Sequence, residues 1–372
     1  MKSLLFLLLI FFNSFQVSAH DWTEVRNIVN SAIEQQTLPG GVLIVGNRET
    51  LLFYEAFGTV DTITPVKKDE TLYDIASLTK IVATTTSIML LEERGVLSLE
   101  NKISDYFPLF TGNGKENVTI EQVMRHESGL APWMAPKNNE TFESYFERIL
   151  KANLSAQPGT KFAYSDLGFI LLAQIVQKIS GKTIADFAHE NIFSPLEMNS
   201  TFYHVPDSLN KDCAPTLKTR QACLPNDPLA YQFSSVELGH AGLFTTAENL
   251  SHLVSMYLNM GKYKENNFLK EETVKKMISL PSGKMRGLGF DLTSPYSTAP
   301  RGGIFPVGLS FGHTGYTGTT IWIDPASGTY YIFLSNRVFL GDELTSSKFS
   351  TLRFDLSTAI GKQIYGTDKR FD

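Results

Sequence analysis

The chain has 372 residues, of which 42% are hydrophobic and 12% aromatic, a composition typical of a globular protein with a sizeable core. The net charge is −5, and the sequence contains no dense run of Lys and Arg. The composition therefore argues against a nucleic-acid partner.

The first predicted element is a secretory signal. Lys2 gives a positively charged start, residues 4–12 form an unbroken apolar run, and residues 17–19 place small residues where a signal peptidase cleaves. Nine residues of helix are about 14 Å long, which is too short for a hydrocarbon core of about 30 Å. We therefore predict cleavage after Ala19, a mature chain of residues 20–372 without a membrane span, and a periplasmic or secreted location.

In the first part of the mature chain, the residue pattern predicts a helix, two strands and a second, buried helix. Apolar residues at helical spacing indicate a helix over residues 22–36. Residues 42–45 and 51–57 predict two strands around a turn at residues 46–49. The next helix, over residues 77–94, is apolar or small nearly all round, which predicts burial on most sides.

The middle of the chain is predicted to be helical, whereas the last third contains strands. Helical patterns cover residues 120–125, 141–152, 167–179, 184–192, 247–260 and 272–278. The later elements are predicted strands over residues 287–292, 319–324 and 330–336 and a closing helix over 346–364.

Strand-forming sequence at both chain ends predicts an α/β (α+β) fold. In this fold, one antiparallel sheet is built from both ends of the chain and flanked by helices. The sheet lobe would span about residues 20–85 and 285–372, and a mostly helical inserted lobe would span about residues 86–284. A cleft between two such lobes is the expected place for a site.

The two cysteines, Cys213 and Cys223, are predicted to form a disulfide, the usual state of paired cysteines in an exported protein. A zinc site would need further ligands, and no nearby His spacing supplies them. We predict no metal and no cofactor, because no pair has His-Glu-x-x-His or comparable spacing among His20, His126, His189, His204, His240 and His252.

The motif Ser77-Leu78-Thr79-Lys80 opens the predicted buried helix. Residues three apart share a helix face, so the Ser77 hydroxyl and the Lys80 amine can meet. A serine hydroxyl becomes a nucleophile when a base lies within hydrogen-bond reach, and a lysine desolvated by burial can lose its proton. The pattern alone is weak, because Ser208 and Lys211 have the same spacing in a loop.

The motif Tyr164-Ser165-Asp166 precedes the helix predicted over residues 167–179. A Tyr phenolate beside an ammonium can act as a general base, a role that typically contributes about 10²–10⁴ in rate. Alternatively, Tyr164 is a core residue, and Ser165 or Asp166 caps the helix.

The motif His313-Thr314-Gly315 precedes Tyr316 and the strand predicted over residues 319–324. Small residues at a strand edge let a backbone N–H point at a substrate oxyanion, and loss of one such donor commonly costs about 10²–10³ in rate. The alternative is a Gly-rich loop with an exposed His.

The three motifs in this order resemble those of the penicillin-recognising serine hydrolases, in the variant with a Tyr-x-Asn second element. Class C β-lactamases, DD-peptidases and related esterases share that variant. Three further stretches are similar to the family: residues 90–99 (LLEERGVLSL), 119–130 (TIEQVMRHESGL) and 239–244 (GHAGLF). The resemblance covers nearly all of the mature chain and implies a β-lactamase/transpeptidase-like fold.

The resemblance also implies residue roles. Ser77 would form the acyl-enzyme, while Lys80 and Tyr164 share the proton transfers. The backbone N–H groups of Ser77 and Tyr316 would form the oxyanion hole. His313 would bind a substrate carboxylate or orient the proton network of Tyr164. Further substrate contacts would come from Asp166, Thr314 and Gly315.

Two residues depart from the family pattern. Asp166 stands where many relatives have Asn, and an ionised Asp can hold Lys80 as an ammonium but cannot donate to a substrate carbonyl. His313 replaces the common Lys, which predicts a pH dependence near the ordinary His pKa of about 6.5. Since some DD-peptidases of the family also carry His-Thr-Gly, this motif favours a peptidase over a β-lactamase.

The function predicted from these motifs is acyl transfer by an exported serine hydrolase. The leading hypothesis is a D-alanyl-D-alanine carboxypeptidase, similar to a penicillin-binding protein, that acts on a peptidoglycan peptide of the cell envelope. The alternatives are a carboxylesterase acting on small esters and a β-lactamase acting on a β-lactam. The non-enzyme alternative is a penicillin-binding sensor.

Overall fold

The structure, a computed structural model, describes residues 20–367, so the predicted signal at residues 1–19 lies outside the described residues. The strands along this part of the chain are β1 (Gly40–Asn47), β2 (Leu51–Gly58), β3 (Tyr73–Asp74), β4 (Thr201–Phe202), β5 (Phe244–Thr245), β6 (Lys262–Tyr263), β7 (Asn266–Asn267), β8 (Phe311–Gly315), β9 (Thr319–Asp324) and β10 (Thr329–Ser335).

The α-helices are α1 (Thr23–Glu34), α2 (Thr86–Glu93), α3 (Ile103–Tyr106), α4 (Ile120–Met124), α5 (Phe142–Lys151), α6 (Asp166–Ser180), α7 (Ile184–Ala188), α8 (Pro228–Gln232), α9 (Ala247–Leu258), α10 (Glu271–Ile278), α11 (Thr298–Arg301) and α12 (Asp342–Tyr365). The 3₁₀ turns are Ala76–Leu78, Lys115–Asn117, Asp207–Asp212 and Arg337–Leu340, and the π-helical segments are Lys80–Thr85 and His189–Phe193. Among residues 20–367, no helix combines the length and apolar character needed to cross a membrane.

Both chain ends contribute to one antiparallel sheet of five strands, in the order β2-β1-β10-β9-β8. The N-terminal strands β1 and β2 form one hairpin, and the C-terminal strands β8, β9 and β10 pair in sequence order. The two parts meet where β1 pairs with β10, with Gly41 opposite Ser335. The predicted antiparallel sheet from both chain ends is therefore confirmed.

The inner strand β1 is buried on both faces, and its alternate side chains point to opposite sides of the sheet. Val42 and Ile44 pack into the large core that also contains the helices between α2 and α10. Leu43 and Val45 pack into a second core that is closed by α1 and α12. The large core includes residues of both the sheet and α6 in one continuous cluster. The predicted division of the chain into two lobes stays a prediction.

Two strand predictions need correction. Residues 287–292 form no strand: Gly289 has a φ of +78° at a turn, and the segment joins the sheet edge through a single bridge between Asp291 and Gly312. A run of apolar residues in a turn packed against the core had the appearance of a strand. Conversely, Phe311–Gly315 is itself strand β8, the edge strand of the main sheet, and not a loop that leads into β9.

Candidate active site

Ser77 lies in a strained turn at the start of the buried helical run. The preceding residue, Ala76, has a φ of +47°, a left-handed conformation that costs energy for any residue with a Cβ. The Asp74 carboxylate accepts a hydrogen bond from the Ala76 N–H at 2.8 Å and one from the Asn226 N–H at 2.6 Å. These bonds hold the turn in place before the chain enters the π-helical segment Lys80–Thr85.

Lys80 is fully buried, and its amine contacts the nucleophile. The Nζ atom lies 3.2 Å from Ser77 Oγ, 3.0 Å from the carbonyl oxygen of His240 and 2.6 Å from Asp166 Oδ1. Burial by itself lowers the pKa of Lys80, but the negative charge of Asp166 and the side chain of Tyr164 outweigh it, so the pKa is raised. Asp166 therefore favours the ammonium form of Lys80, whereas the sequence had suggested that burial lets Lys80 lose its proton.

Tyr164 lies beside this ammonium, with Lys80 Nζ 4.9 Å from the centre of the ring. The ring of His126 stacks on Tyr164 at a centroid distance of 4.3 Å, and His126 Nδ1 accepts a hydrogen bond from the Ser165 N–H. Ser165 caps α6 by accepting from the Gly168 N–H. Tyr164 is thus held by a stacked ring on one side and a helix cap on the other.

The third motif is fixed against the segment that leads to Ser77. Thr317 Oγ1 donates to the carbonyl oxygen of Asp74 at 2.7 Å, and Thr319 Oγ1 donates to that of Ile75 at 3.1 Å. A Cβ at Gly315 would lie 2.5 Å from the Ile75 oxygen, so only glycine allows this approach. Within residues 20–367, neither the Ser77 nor the Tyr316 backbone N–H donates to another protein group.

His313 is buried, and the structure contradicts a titration near pH 6.5. Burial, followed by the charges of Arg286 and Lys80, lowers the pKa of His313 well below its ordinary value. The Nδ1 atom lies 2.8 Å from the carbonyl oxygen of Thr314, which assigns the ring proton to Nδ1 and leaves Nε2 as an acceptor. His313 is a neutral imidazole at the pH where the sequence predicted a change of charge.

Ser77, Tyr164 and His313 line a cavity of about 350 Å³, a volume within the range of small-molecule sites. The sequence did not predict the three arginines of its wall, Arg286, Arg337 and Arg353. They come from a turn, a 3₁₀ turn and α12, and no local pattern links such distant residues to the three motifs. The cavity wall consists of Ser77, Tyr164, Arg286, Asp291, Tyr296, His313, Thr314, Gly315, Tyr316, Arg337, Ser346 and Arg353.

Lys80 is also held by a contacting pair of residues, His240 and Asp227, to which the sequence analysis assigned no role at the site. His240 Nε2 donates to Asp227 Oδ1 at 3.0 Å, while the His240 carbonyl oxygen accepts from Lys80. Asp166, Asp227 and His240 each have a ligand-type atom within 4.8 Å of the others. The Lys80 ammonium already places a positive charge beside these three residues. The absence of a metal at this site stays a prediction.

Cys213 and Cys223 form a disulfide, with their Cα atoms 5.4 Å apart. Cys213 also forms a bridge with Leu72, directly before β3. The disulfide therefore joins the segment that leads to Ser77 to the loop that leads to Asp227.

The fold and the site together define a serine hydrolase. The structure of a penicillin-binding protein homologue from Caulobacter crescentus superimposes with a TM-score of 0.73, covering 92% of this chain and 97% of that one at 20% identity. An N-acetylmuramyl-L-alanine amidase of Bacillus subtilis is 27% identical, over 84% of this chain and 83% of its own length. An Escherichia coli protein provisionally named D-alanyl-D-alanine carboxypeptidase is 28% identical, over 75% of this chain and 72% of its own length.

The chain belongs to the Beta-lactamase family, whose model matches residues 25–348. Membership confirms the resemblance that the three motifs indicated, the β-lactamase/transpeptidase-like fold and the assignment as a serine hydrolase.

Replacing Asp166 with alanine is expected to destabilise the protein by about 3 kcal/mol at neutral pH, because a fully buried ammonium loses its carboxylate partner. The pKa of Lys80 should fall at the same time, since Asp166 raises it. Urea unfolding measures the first effect. In the control Glu147→Ala, which breaks an exposed pair with Lys151, the loss should stay below about 1 kcal/mol. Unchanged stability and activity in Asp166→Ala would show that Asp166 does not control Lys80.

The pH dependence of stability should contain a contribution from Asp74. Burial raises its pKa to about 6, although two backbone N–H bonds oppose this. Between about pH 4 and pH 6 the folded protein holds this proton while the unfolded chain releases it, so the contribution of Asp74 to stability falls as the pH rises and is constant above pH 6. Between about pH 4 and pH 6, the free energy of unfolding of the native protein should fall by about 3 kcal/mol relative to that of Asp74→Asn.

Denaturant unfolding at several pH values gives this difference directly, with Asp207→Asn as an exposed control. A difference between native protein and Asp74→Asn that does not vary with pH would rule out the raised pKa.

Proposed function

We propose that Ser77 Oγ attacks the carbonyl carbon of an amide or ester substrate and forms an acyl-enzyme that water then hydrolyses. The observation that carries this proposal is the 3.2 Å contact between Ser77 Oγ and the fully buried Lys80 Nζ, at a cavity that Tyr164 also lines. A nucleophile in hydrogen-bond contact with a polar proton-transfer group is the arrangement that covalent catalysis requires.

In this mechanism the phenolate form of Tyr164 accepts the Ser77 proton, either directly or by a relay in which Lys80 gives one of its own protons to Tyr164 and takes that of Ser77, and the proton is then returned to the leaving group. Lys80 is held as an ammonium by Asp166, so its first role is to orient the Ser77 hydroxyl and to stabilise negative charge on the Tyr164 oxygen. Neutral His313 offers Nε2 as an acceptor to the substrate or to the proton network.

The oxyanion of the tetrahedral intermediate would be bound by the backbone N–H groups of Ser77 and Tyr316. Both residues line the cavity, and neither N–H donates to another protein group within residues 20–367. The bonds from Thr317 and Thr319 to the segment before Ser77 keep the two donors in a fixed relation, which is what such a site needs to stabilise charge.

The substrate class that we propose is a peptide ending in D-alanyl-D-alanine, which the enzyme cleaves as a carboxypeptidase. Three observations support this choice. The cavity is lined by Arg337 and Arg353, which suit the terminal carboxylate of such a peptide. The names of both curated relatives refer to bonds of peptidoglycan peptides. The disulfide fits an exported protein, and we propose a periplasmic or secreted location on this ground and on the pattern of residues 1–19.

A second candidate is cleavage of the amide between N-acetylmuramic acid and L-alanine. The relative of that name is 27% identical along 84% of this chain and 83% of its own length. The same nucleophile and proton acceptor serve both reactions, and the substrate that reaches Ser77 decides between them.

One experiment separates these candidates from each other and from an esterase. Purified protein is incubated with a muropeptide that carries a D-alanyl-D-alanine end, and the products are identified by mass spectrometry. Release of D-alanine supports the carboxypeptidase, whereas a free L-alanyl peptide identifies the amidase.

Turnover of a p-nitrophenyl ester without cleavage of the muropeptide would overturn both peptidoglycan proposals. Labelling by a fluorophosphonate or a fluorescent penicillin, with Ser77→Ala as the control, shows whether Ser77 is the nucleophile. No difference between native protein and Ser77→Ala would rule out the mechanism itself.

A further inference from the structure

Arg286 contributes a second positive charge beside Tyr164. The side chain is buried, and its guanidinium carbon lies 5.6 Å from the centre of the Tyr164 ring. Lys80 Nζ lies 4.9 Å from the same ring. Both cations therefore lie over the ring of Tyr164, where a positive charge favours negative charge on that side chain.

The charge of Arg286 is only loosely compensated by its own neighbours. One guanidinium nitrogen donates to the carbonyl oxygen of Gly289 at 3.0 Å, and another lies 3.8 Å from Asp291 Oδ2, which is too far for a hydrogen bond. The Nε–H has no hydrogen-bond partner within residues 20–367. A buried guanidinium with unused donors is costly unless it serves another group.

The other titratable side chains around Tyr164 do not supply this charge. Burial lowers the pKa of His126, which stacks on the ring, and the pKa of His313, whose ring centre is 6.0 Å away. Both imidazoles are neutral at physiological pH. Asp166 faces Tyr164 through Lys80 and partly cancels the charge of that ammonium. Arg286 is therefore the less compensated of the two cations beside the ring.

We propose that Arg286 is a positioning residue that stabilises the anionic form of Tyr164 and so sets the pH at which Ser77 becomes reactive. This inference rests on the proposed role of Tyr164 as proton acceptor, but not on the identity of the substrate. Arg286 need not touch the substrate for this effect, because it acts through the field at the phenol oxygen.

The test uses p-nitrophenyl acetate, an ester without a carboxylate, so that binding of a substrate anion by Arg286 cannot contribute. The pH dependence of kcat/KM reports the groups of the free enzyme. In Arg286→Gln the half-maximal pH of the rising limb should move up by about one unit or more, a rate loss of about tenfold on that limb. Arg286→Lys, which keeps the charge, should restore a profile close to that of the native protein.

Asp291→Asn gives an independent test in the opposite direction. It removes the carboxylate that partly compensates Arg286, so the rising limb should move to lower pH. Circular dichroism and thermal unfolding establish that each variant is folded, and Asp291→Asn still decides the question if Arg286→Gln does not fold. An unshifted profile in folded Arg286→Gln or in folded Asp291→Asn would overturn the inference.

The outcomes also separate this inference from the proposed substrate. Shifted profiles with the ester, combined with no cleavage of a muropeptide, would retain the role of Arg286 and reject the peptidoglycan substrate. A lower activity of Arg286→Gln toward peptides alone, at an unchanged pH profile with the ester, would reassign Arg286 to binding of the substrate carboxylate and overturn the inference.

Discussion

Replacing Lys80 with methionine is expected to lower the rate of Ser77 acylation by roughly 10³–10⁴-fold. Methionine fills the space of the lysine stem but offers no donor to Ser77 Oγ and no positive charge to Tyr164. Stability should fall by less than in Asp166→Ala, because the charge left without its partner is the Asp166 carboxylate, which is 21% exposed and can be hydrated. Stopped-flow acylation by a p-nitrophenyl ester measures the rate, and thermal unfolding measures the stability.

Lys115 provides a matched control for this variant. It is a second buried lysine, and its Nζ donates to the carbonyl oxygen of Leu150 at 2.7 Å, but it does not line the cavity. Lys115→Met should therefore leave acylation unchanged, whatever its effect on stability. Acylation of Lys80→Met within tenfold of the native rate would remove Lys80 from the mechanism.

Replacing Tyr164 with phenylalanine is expected to lower the acylation rate by roughly 10²–10³-fold, because the variant loses the group that accepts the Ser77 proton. The ring itself remains, and so do its stacking on His126 and its contact with Lys80. The fold should consequently be preserved, and the loss should appear in kcat more than in KM.

Tyr296 is the control for the loss of a phenol oxygen in the same cavity. Its ring lies 5.7 Å from that of Tyr164, and its side chain is exposed, so Tyr296→Phe should stay within a few-fold of the native rate. Equal losses in the two variants would indicate that the cavity needs its polarity and not a particular proton acceptor.

The sequence predicted those parts of the fold that local patterns determine. The spacing of apolar residues located α1, β1, β2 and β9 closely, and it identified the buried run after Ser77. It failed over residues 287–292, where apolar side chains pack inward from a turn at Gly289. Short, irregular segments satisfy the same burial requirement as a strand, so composition alone does not separate the two.

The candidate site was predictable where its residues belong to motifs, and not where they are joined by long-range contacts. Ser77 and Lys80 are three residues apart, so their contact follows from local geometry. Asp227, in contrast, bonds to His240, whose carbonyl oxygen accepts from Lys80, and Arg286 meets Tyr164 from a segment far away in the sequence. Neither carries a recognisable pattern in its own segment.

The state of His313 shows the same limit. Its identity was read from the sequence, and the ordinary pKa of histidine suggested a titration near neutrality. Burial and two neighbouring cations determine the actual state, and both depend on the folded environment.

The pairing of β1 with β10 has a consequence for the order in which the protein is made. Gly41 and Ser335 lie at opposite ends of the chain, so β1 and β2 leave the ribosome long before the strands that complete their sheet. Contacts between such distant segments form slowly. A nascent or truncated chain that stops before β8 has the Ser77–Lys80 segment but not Tyr316, and it should therefore remain inert until the strands β8 to β10 have been synthesised.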